Sequence, residues 1–195
     1  MSHIEDRARR RQFLAAALVL PFASRALAAE DLPLTPACGN NPGRTPSQTA
    51  GPFYTPDSPR RASLVEPGST AERLVLAGFV LSPQCRLVAN ALLDFWHCDE
   101  AGAYDNRGFR YRGHLFTDAQ GRYSLETIVP GEYPGRTRHI HVKAQAPGGR
   151  ILTTQLYFPD EPRNQSDGIY RRELAMRVAR TRGRRDARFD FVVAA

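Results

Sequence analysis

Short apolar runs, some alternating with polar residues and some continuous, recur along the last two thirds of the chain. Runs of roughly four to eight residues between turn residues predict β-strands. The runs are LVLAGFVL, ANALLDFWHC, HLFT, RYSLETI, HIHVKAQA, LTTQLYF and RFDFVV. About seven short strands with turn signals between them predict an all-β protein built as a β-sandwich.

Turn residues between the runs indicate which strands are neighbours. The sequence DAQG at residues 118–121 separates HLFT from RYSLETI, and its length and composition predict a hairpin. The sequence PGGR at residues 147–150 predicts a second hairpin, between HIHVKAQA and LTTQLYF. Residues 169–180 are predicted to form a helical turn or two, after which RFDFVV completes the sheet.

A chain of 195 residues is long enough for one domain with a sizeable core. Residues 73–195 hold all the predicted strands, so we expect the β-sandwich domain there. Residues 29–72 are dense in Pro, Gly, Ser and Thr without periodicity and are predicted to form an extended arm. The sandwich is expected to have long loops, because the chain holds 15 Gly and 15 Pro.

Residues 1–28 have the pattern of an export signal. The run RRQFL at residues 10–14 resembles a twin-arginine motif and leads into the apolar run AAALVLPFAS and an A-x-A site at residues 26–28. No apolar run is long enough for a stable membrane span. We therefore expect an exported protein, periplasmic or extracellular.

The net charge of +7 raises the question of a nucleic-acid partner. Part of this charge belongs to the signal, and the other arginines are mostly scattered, so no basic stripe interleaved with aromatic residues is present. No nucleic-acid partner is expected. The three cysteines are Cys38, Cys85 and Cys98; export favours a disulfide, but the spacing does not select the pair.

Residues 130–143, PGEYPGRTRHIHVK, concentrate the candidate chemistry. In a strand, His139 and His141 share one face, and Ile140 and Val142 point to the other. Two imidazoles side by side can share a metal ion, although two polar residues facing water would give the same pattern. Copper or zinc held by these histidines alone is an open alternative.

Two tyrosines stand where they could join the histidines. Tyr104 follows the turn after ANALLDFWHC, and Tyr133 lies between the turn dipeptides PG at 130–131 and 134–135. Two phenolates with two imidazoles suit ferric iron better than zinc, because anionic oxygen favours a hard, high-valent ion.

Taken together, these segments resemble the intradiol ring-cleavage dioxygenases, non-haem ferric enzymes that open catechols. The resemblance runs from about Thr45 to Asp160 with the motifs in family order. It is carried by GPFY at 51–54, LVLAGFV, ALLDFWHCDEAGAY ending in Tyr104, FRYRGHLFTDAQGRYSLETIVPGEYPGRTRHIHV and TTQLYF.

The resemblance implies a β-sandwich of the intradiol dioxygenase type that uses Fe³⁺, O₂ and a small aromatic diol to make a cis,cis-muconate-type diacid. Whether the chain forms a homo-oligomer stays open. By the same resemblance the iron ligands are Tyr104, Tyr133, His139 and His141. The catalytic residues it implies are Arg136, Tyr133 and Gln155. The substrate-binding residues it implies are Gly51, Pro52, Tyr54 and Arg136.

Two alternatives compete with this interpretation. The chain could be an exported transthyretin-like β-sandwich that binds a ligand without redox chemistry. Arg136 could instead pair with Glu132 on the surface. His97 and His114 fall outside the matched positions and are not expected to be ligands.

The signal predicts cleavage after Ala28 during export, because the A-x-A site ends there. Expression in a bacterium, followed by fractionation and N-terminal sequencing, should find a mature chain outside the cytoplasm that begins at Ala29. Recovery of a cytoplasmic chain with residues 1–28 intact would contradict this prediction.

Overall fold

The computed structural model describes residues 43–195. The predicted export signal, the first part of the predicted arm and Cys38 lie outside the described residues. The described chain has nine strands: β1 (Arg73–Leu81), β2 (Leu92–Trp96), β3 (Arg112–Phe116), β4 (Arg122–Ile128), β5 (His139–Gln145), β6 (Leu152–Tyr157), β7 (Arg177–Thr181), β8 (Arg184–Arg188) and β9 (Phe191–Val192). They form two sheets. One has the order β4-β1-β8-β7, with β9 also paired with β1, and the other has the order β3-β2-β5-β6.

The core lies between the two sheets. Leu74 and Leu76 of β1 and Ile140 and Val142 of β5 are fully buried in one apolar cluster. Alternate residues of strands from both sheets meet there, as the side-chain period of two requires. The prediction of an all-β sandwich is confirmed.

The first predicted hairpin is wrong. Residues 118–121 do form a tight turn, in which the Asp118 carboxylate accepts hydrogen bonds from the Gln120 and Arg122 N–H groups. However, β3 pairs with β2 and β4 pairs with β1, so the turn carries the chain from one sheet to the other. Turn residues specify a reversal of direction, whereas burial decides which strands pair.

The second predicted hairpin is confirmed, since β5 pairs antiparallel with β6. The predicted helical turn is confirmed only in part. Within the predicted segment one 3-10 turn forms, at Arg172–Leu174, and Arg177–Thr181 forms β7 instead of a helix. Another 3-10 turn, at Pro162–Gln165, precedes this segment. No helix within residues 43–195 is long and apolar enough to cross a bilayer.

The last predicted strand, RFDFVV at residues 188–193, does not form as one strand. Its first residue ends β8, and Phe191–Val192 forms β9. Both β8 and β9 run parallel to β1, and the ladder is interrupted between them. There Asp190 Oδ1 accepts the Phe79 N–H at 2.9 Å. The Phe189 carbonyl lies 1.9 Å from where a Cβ on Gly78 would stand, so only glycine fits in β1 at this point.

The described part of the arm, residues 43–72, crosses the outer face of the β3-β2-β5-β6 sheet. It starts beside β9, where Thr45 N–H donates to the Val192 carbonyl at 3.1 Å. It then lies beside β6, where Gln48 N–H donates to the Thr153 carbonyl at 2.8 Å, and passes β3, where Arg61 N–H donates to the His114 carbonyl at 2.9 Å. Leu64 then enters the core and is completely buried. The arm therefore packs on the sandwich along its length.

Because Leu64 anchors the arm in the core, Leu64→Ala should lower the free energy of unfolding by about 2–5 kcal/mol. Leu87→Ala is the matched control, because 54% of the Leu87 side chain is exposed, and it should cost less than about 0.5 kcal/mol. Urea unfolding followed by Trp96 fluorescence measures both. Equal, small losses would show that the arm is not part of the cooperative fold.

Candidate metal centre

The centre is built on the outer face of the β3-β2-β5-β6 sheet. Strand pairing aligns one residue from each strand in a single row across that sheet: Arg112, Trp96, His141 and Gln155. His139 lies opposite Tyr157 on the same face. Directly paired residues point to the same side of a sheet, so this register fixes which side chains can meet.

The two histidines converge as the strand pattern predicts. Their Nε2 atoms are 3.2 Å apart, and both residues are at most 2% exposed. His139 Nδ1 lies 2.6 Å from the Thr137 carbonyl oxygen. This nitrogen must carry the proton, since a carbonyl can only accept, so His139 Nε2 keeps its lone pair for a ligand.

His141 is held by ring contacts. Its ring stacks on Trp96 with centroids 4.8 Å apart and an angle of 6°. From the arm, Gly51 approaches so closely that a Cβ there would lie 3.4 Å from His141 Cε1. The positive φ of 65° at Gly51 also favours glycine.

Tyr104 reaches the histidines from the loop after β2. Its ring lies 5.8 Å from the Tyr133 ring and 6.3 Å from the His141 ring, centroid to centroid. On its other side it stacks on Phe53 at 4.4 Å. The Tyr104 hydroxyl is buried and has no hydrogen-bond partner among the described residues, which is costly unless something else binds it.

Tyr133 is carried by a tight turn. Arg136 N–H donates to the Tyr133 carbonyl at 3.0 Å, and Gly135 has a φ of 79°. Proline followed by glycine with positive φ is the signature of a type II turn. The turn brings the Tyr133 hydroxyl to 3.5 Å from His139 Nε2 and 3.3 Å from an Arg136 nitrogen.

Arg136 is anchored inside the site and does not pair with Glu132, which binds Arg163 instead. Its Nε donates to Asp167 Oδ2 at 3.0 Å, and one terminal nitrogen donates to Gln155 Oε1. The surface alternative for Arg136 is therefore wrong. Asp167 was not identified as a site residue from the sequence, because its distance along the chain gives no sign of this contact.

Residues 51–53 of the arm cover the site and are called its roof below. Gly51 and Phe53 contact His141 and Tyr104 as described, and Pro52 is exposed between them. Tyr54 is directed elsewhere. Its hydroxyl donates to Asp94 Oδ2 at 3.2 Å, and its ring packs edge-on against Trp96. Tyr54 thus touches the centre only through Trp96.

Burial sets the protonation states in the metal-free protein. Burial, and secondarily the Arg136 charge, lowers the pKa of His139 to about 4, and burial also places the pKa of His141 well below its usual value. Both imidazoles are therefore neutral near pH 7. Burial raises the pKa of Tyr104 and Tyr133, so each phenol must lose a proton when it binds a metal.

Comparison with known proteins identifies the family. A family model described as dioxygenase matches residues 49–194. Catechol 1,2-dioxygenase of Candida albicans is 31% identical over 65% of this chain and 51% of its own length. The chain belongs to the intradiol dioxygenase family. It spans about half the length of the curated relatives it matches.

Solved structures of other dioxygenases share the fold. The dioxygenase domain of a dioxygenase carbohydrate-binding protein fusion from Streptomyces sp. SirexAA-E is 52% identical, with a TM-score of 0.77 over 78% of this chain and 99% of that one. The 3-chlorocatechol 1,2-dioxygenase of Rhodococcus opacus 1CP is 26% identical, with a TM-score of 0.71 over 77% and 72% of the two chains.

The side chains at this site fit a ferric ion. Within the described range, no three His, Cys, Asp or Glu side chains are grouped to hold a metal. The rings of Tyr104 and Tyr133 lie beside the two histidines and can add phenol oxygens. Two facing imidazole nitrogens and the buried, unpartnered Tyr104 hydroxyl are groups that a metal would satisfy. Two phenolates and two imidazoles match the preference of Fe³⁺.

Because the buried Tyr104 hydroxyl has no partner among residues 43–195, Tyr104→Phe should raise the unfolding free energy of the metal-free protein by about 1 kcal/mol. Tyr123→Phe is the matched control. The buried Tyr123 hydroxyl donates to the Phe189 carbonyl at 2.7 Å, so its removal should cost about 1 kcal/mol. Thermal and urea unfolding of chelator-treated protein measure the unfolding free energy of both variants. An equal loss of unfolding free energy in the two variants would show that the Tyr104 hydroxyl does not destabilise the metal-free protein.

Proposed function

We propose that this chain is a non-haem Fe³⁺ intradiol dioxygenase. It opens the ring of a catechol-type diol between the two hydroxylated carbons with O₂ and yields a cis,cis-muconate-type diacid. The observation that carries the proposal is the convergence of Tyr104, Tyr133, His139 and His141 on one buried point, with Arg136 and Gln155 beside it.

The relatives support the substrate class. They include enzymes named catechol, chlorocatechol and hydroxyquinol 1,2-dioxygenase. A transthyretin-like binding module would have no use for two buried histidines with facing nitrogens or for a buried phenol that no protein group satisfies. The donor geometry therefore favours the enzyme over the binding module.

Iron bound by the four ligands would act as a Lewis acid that binds both substrate oxygens and makes the ring reactive towards O₂. The residues of the chain supply the rest. His139 and His141 lie on a rigid strand and hold their positions. Tyr133 lies on an exposed turn and is only half-buried, so it can move when a diol arrives.

Tyr133 is suited to take a proton from the substrate. As a phenolate it would be a base within reach of an incoming hydroxyl. The Arg136 nitrogen at 3.3 Å from its oxygen then offsets the charge that moves between phenolate and substrate. Tyr104 stacks under Phe53 and has no such freedom.

Arg136 provides fixed positive charge at the reacting centre. Asp167 and Gln155 hold its planar fork, and Gln155 is in turn fixed by donating to the Thr49 carbonyl at 2.9 Å. Burial alone would raise the pKa of Asp167. Hydrogen bonds from the Ile169 and Thr137 N–H groups and from Arg136 outweigh burial, so the pKa lies below its ordinary value and the ion pair persists at neutral pH. A preorganised cation of this kind stabilises the negative charge that grows during oxygen attack.

We also propose that the enzyme acts outside the cytoplasm. Cys85 is disulfide-bonded, whereas Cys98 is a buried free thiol. Structural disulfides persist mainly in oxidising compartments. This agrees with the export pattern in residues 1–28.

Arg136→Lys should keep a charge beside Asp167 and therefore keep most of the stability, whereas Arg136→Ala leaves a buried carboxylate unpaired. Both variants should bind iron and show the visible change caused by an anaerobic catechol. Turnover should fall by about 10²–10³-fold in each. Alanine removes the charge, and the lysine ammonium cannot reproduce the planar fork of donors.

Stopped-flow mixing of the anaerobic substrate complex with O₂ measures this step. Arg163→Ala is the control, because Arg163 is a neighbouring arginine that is half exposed and pairs with Glu132. A wild-type rate in Arg136→Ala would remove the electrostatic role proposed for this arginine, and a wild-type rate in Arg136→Lys would show that the charge acts without the fork. Colourless wild-type protein without iron would overturn the proposed function itself.

A further inference from the structure

Arg112 is a buried cation whose position in β3 places it at one end of the row that contains His141. It is 1% exposed, and it forms no ion pair with any described residue. All of its hydrogen bonds go to main-chain carbonyls. Its Nε and one terminal nitrogen donate to the Asp105 carbonyl at 3.1 and 2.7 Å, and the other terminal nitrogen donates to the Phe53 carbonyl at 2.6 Å.

The two carbonyls belong to segments that are far apart in sequence and meet at Tyr104. Asp105 follows Tyr104 directly, and Phe53 is the arm residue that stacks on the Tyr104 ring. The Arg112 guanidinium carbon itself lies 5.9 Å from the centre of that ring. One side chain thus ties the loop that carries Tyr104 to the roof that covers it.

We propose that Arg112 is a positioning residue that fixes Tyr104 in the geometry needed to bind the metal. This inference rests on the proposed function, because that function supplies the metal. The role of Arg112 is separate from those of the four proposed ligands and of Arg136. The His139 and His141 side chains need no such clamp, since β5 holds them directly.

The Tyr104 ring packs between Phe53 and Tyr133, and the Arg112 side chain joins the Tyr104 loop to the arm. The Tyr104 hydroxyl has no described partner. The loop beyond it is ordered by Asp105, whose carboxylate accepts the N–H groups of Arg107, Gly108 and Arg110. That capped turn is a rigid unit, and Arg112 joins the unit to the arm through the Asp105 carbonyl.

Arginine suits this position for a geometric reason. Its planar fork presents several donors in fixed directions, so a single side chain can satisfy two carbonyls from different segments. Burying a charge without a carboxylate is costly, and the three charge-assisted bonds offset that cost. Loss of the side chain would leave both carbonyls without this donor and allow the two segments to separate.

The test compares Arg112→Met with Arg185→Met. Arg185 is a partly buried arginine of β8, with its side chain 11% exposed and paired with Glu72 and Glu161, so the same change there is a matched control. Amide hydrogen exchange of the metal-free proteins should be about tenfold faster or more at residues 99–111 in Arg112→Met, and unchanged there in Arg185→Met. Exchange in β5 should stay as in the wild type in both variants.

Iron titration gives the second readout. Arg112→Met should bind iron about 10–100-fold more weakly, with a weaker phenolate-to-iron absorption band per bound iron, because one phenolate is misplaced. Unchanged exchange at residues 99–111, or wild-type iron affinity and absorption, would overturn the proposal. If the wild type bound no iron, the proposed function would fail, and the exchange comparison would still decide the role of Arg112.

Arg112→Lys covers the case in which Arg112→Met does not fold. Lysine keeps the charge but lacks the fork, so it should bind one segment and leave faster exchange at residues 99–111 with weaker iron binding. Full restoration of both properties by lysine would show that the paired contacts of the fork are not needed, and would overturn the proposal.

Discussion

Side-chain alternation along β5 is the constraint on which the rest of the centre depends. Ile140 and Val142 are drawn into the core, so His139 and His141 must point to the opposite face of the sheet. That face would normally meet water, yet the histidines are almost fully buried because the arm crosses it. Apolar burial on one side thus orients the imidazoles, and the arm on the other side excludes water from them. A slip of one residue in strand register would exchange the two sets and abolish the site.

The remaining groups come from loops, and each loop is fixed by a different device. A proline–glycine turn presents Tyr133, the Asp167 carboxylate holds Arg136, and the Arg112 fork ties the Tyr104 loop to the arm. These devices differ in stiffness, in a way that fits the proposed roles. Tyr133 stands on an exposed turn and can move, whereas Tyr104 is enclosed by Phe53 and the capped loop behind it. The Tyr104 hydroxyl has no hydrogen-bond partner among the described residues, so it destabilises the metal-free protein. Binding to a metal would remove this destabilisation.

Patterns with a short range could be predicted from the sequence, whereas contacts between distant segments could not. The alternation HIHVK placed both histidines correctly on one face, and the number of short runs predicted the sandwich. The turn at residues 118–121 was recognised, but its partners were not, because Leu115 and Leu125 reach the core from different sheets. Asp167 carries no local signature at all, and the motifs that contain Phe53 and Arg112 give no sign of the contacts these two side chains make. Their importance comes from carbonyls and side chains brought close only by folding.

The proposed reaction at this centre opens an aromatic diol between its two hydroxylated carbons. The most direct measurement is the reaction of purified, iron-loaded protein with catechol, and then with substituted catechols, under ¹⁸O₂, with mass spectrometry of the product. We expect a muconate-type diacid with one ¹⁸O atom in each carboxyl group, and no product from His141→Ala. A semialdehyde product, or an undiminished yield of diacid from His141→Ala, would contradict it.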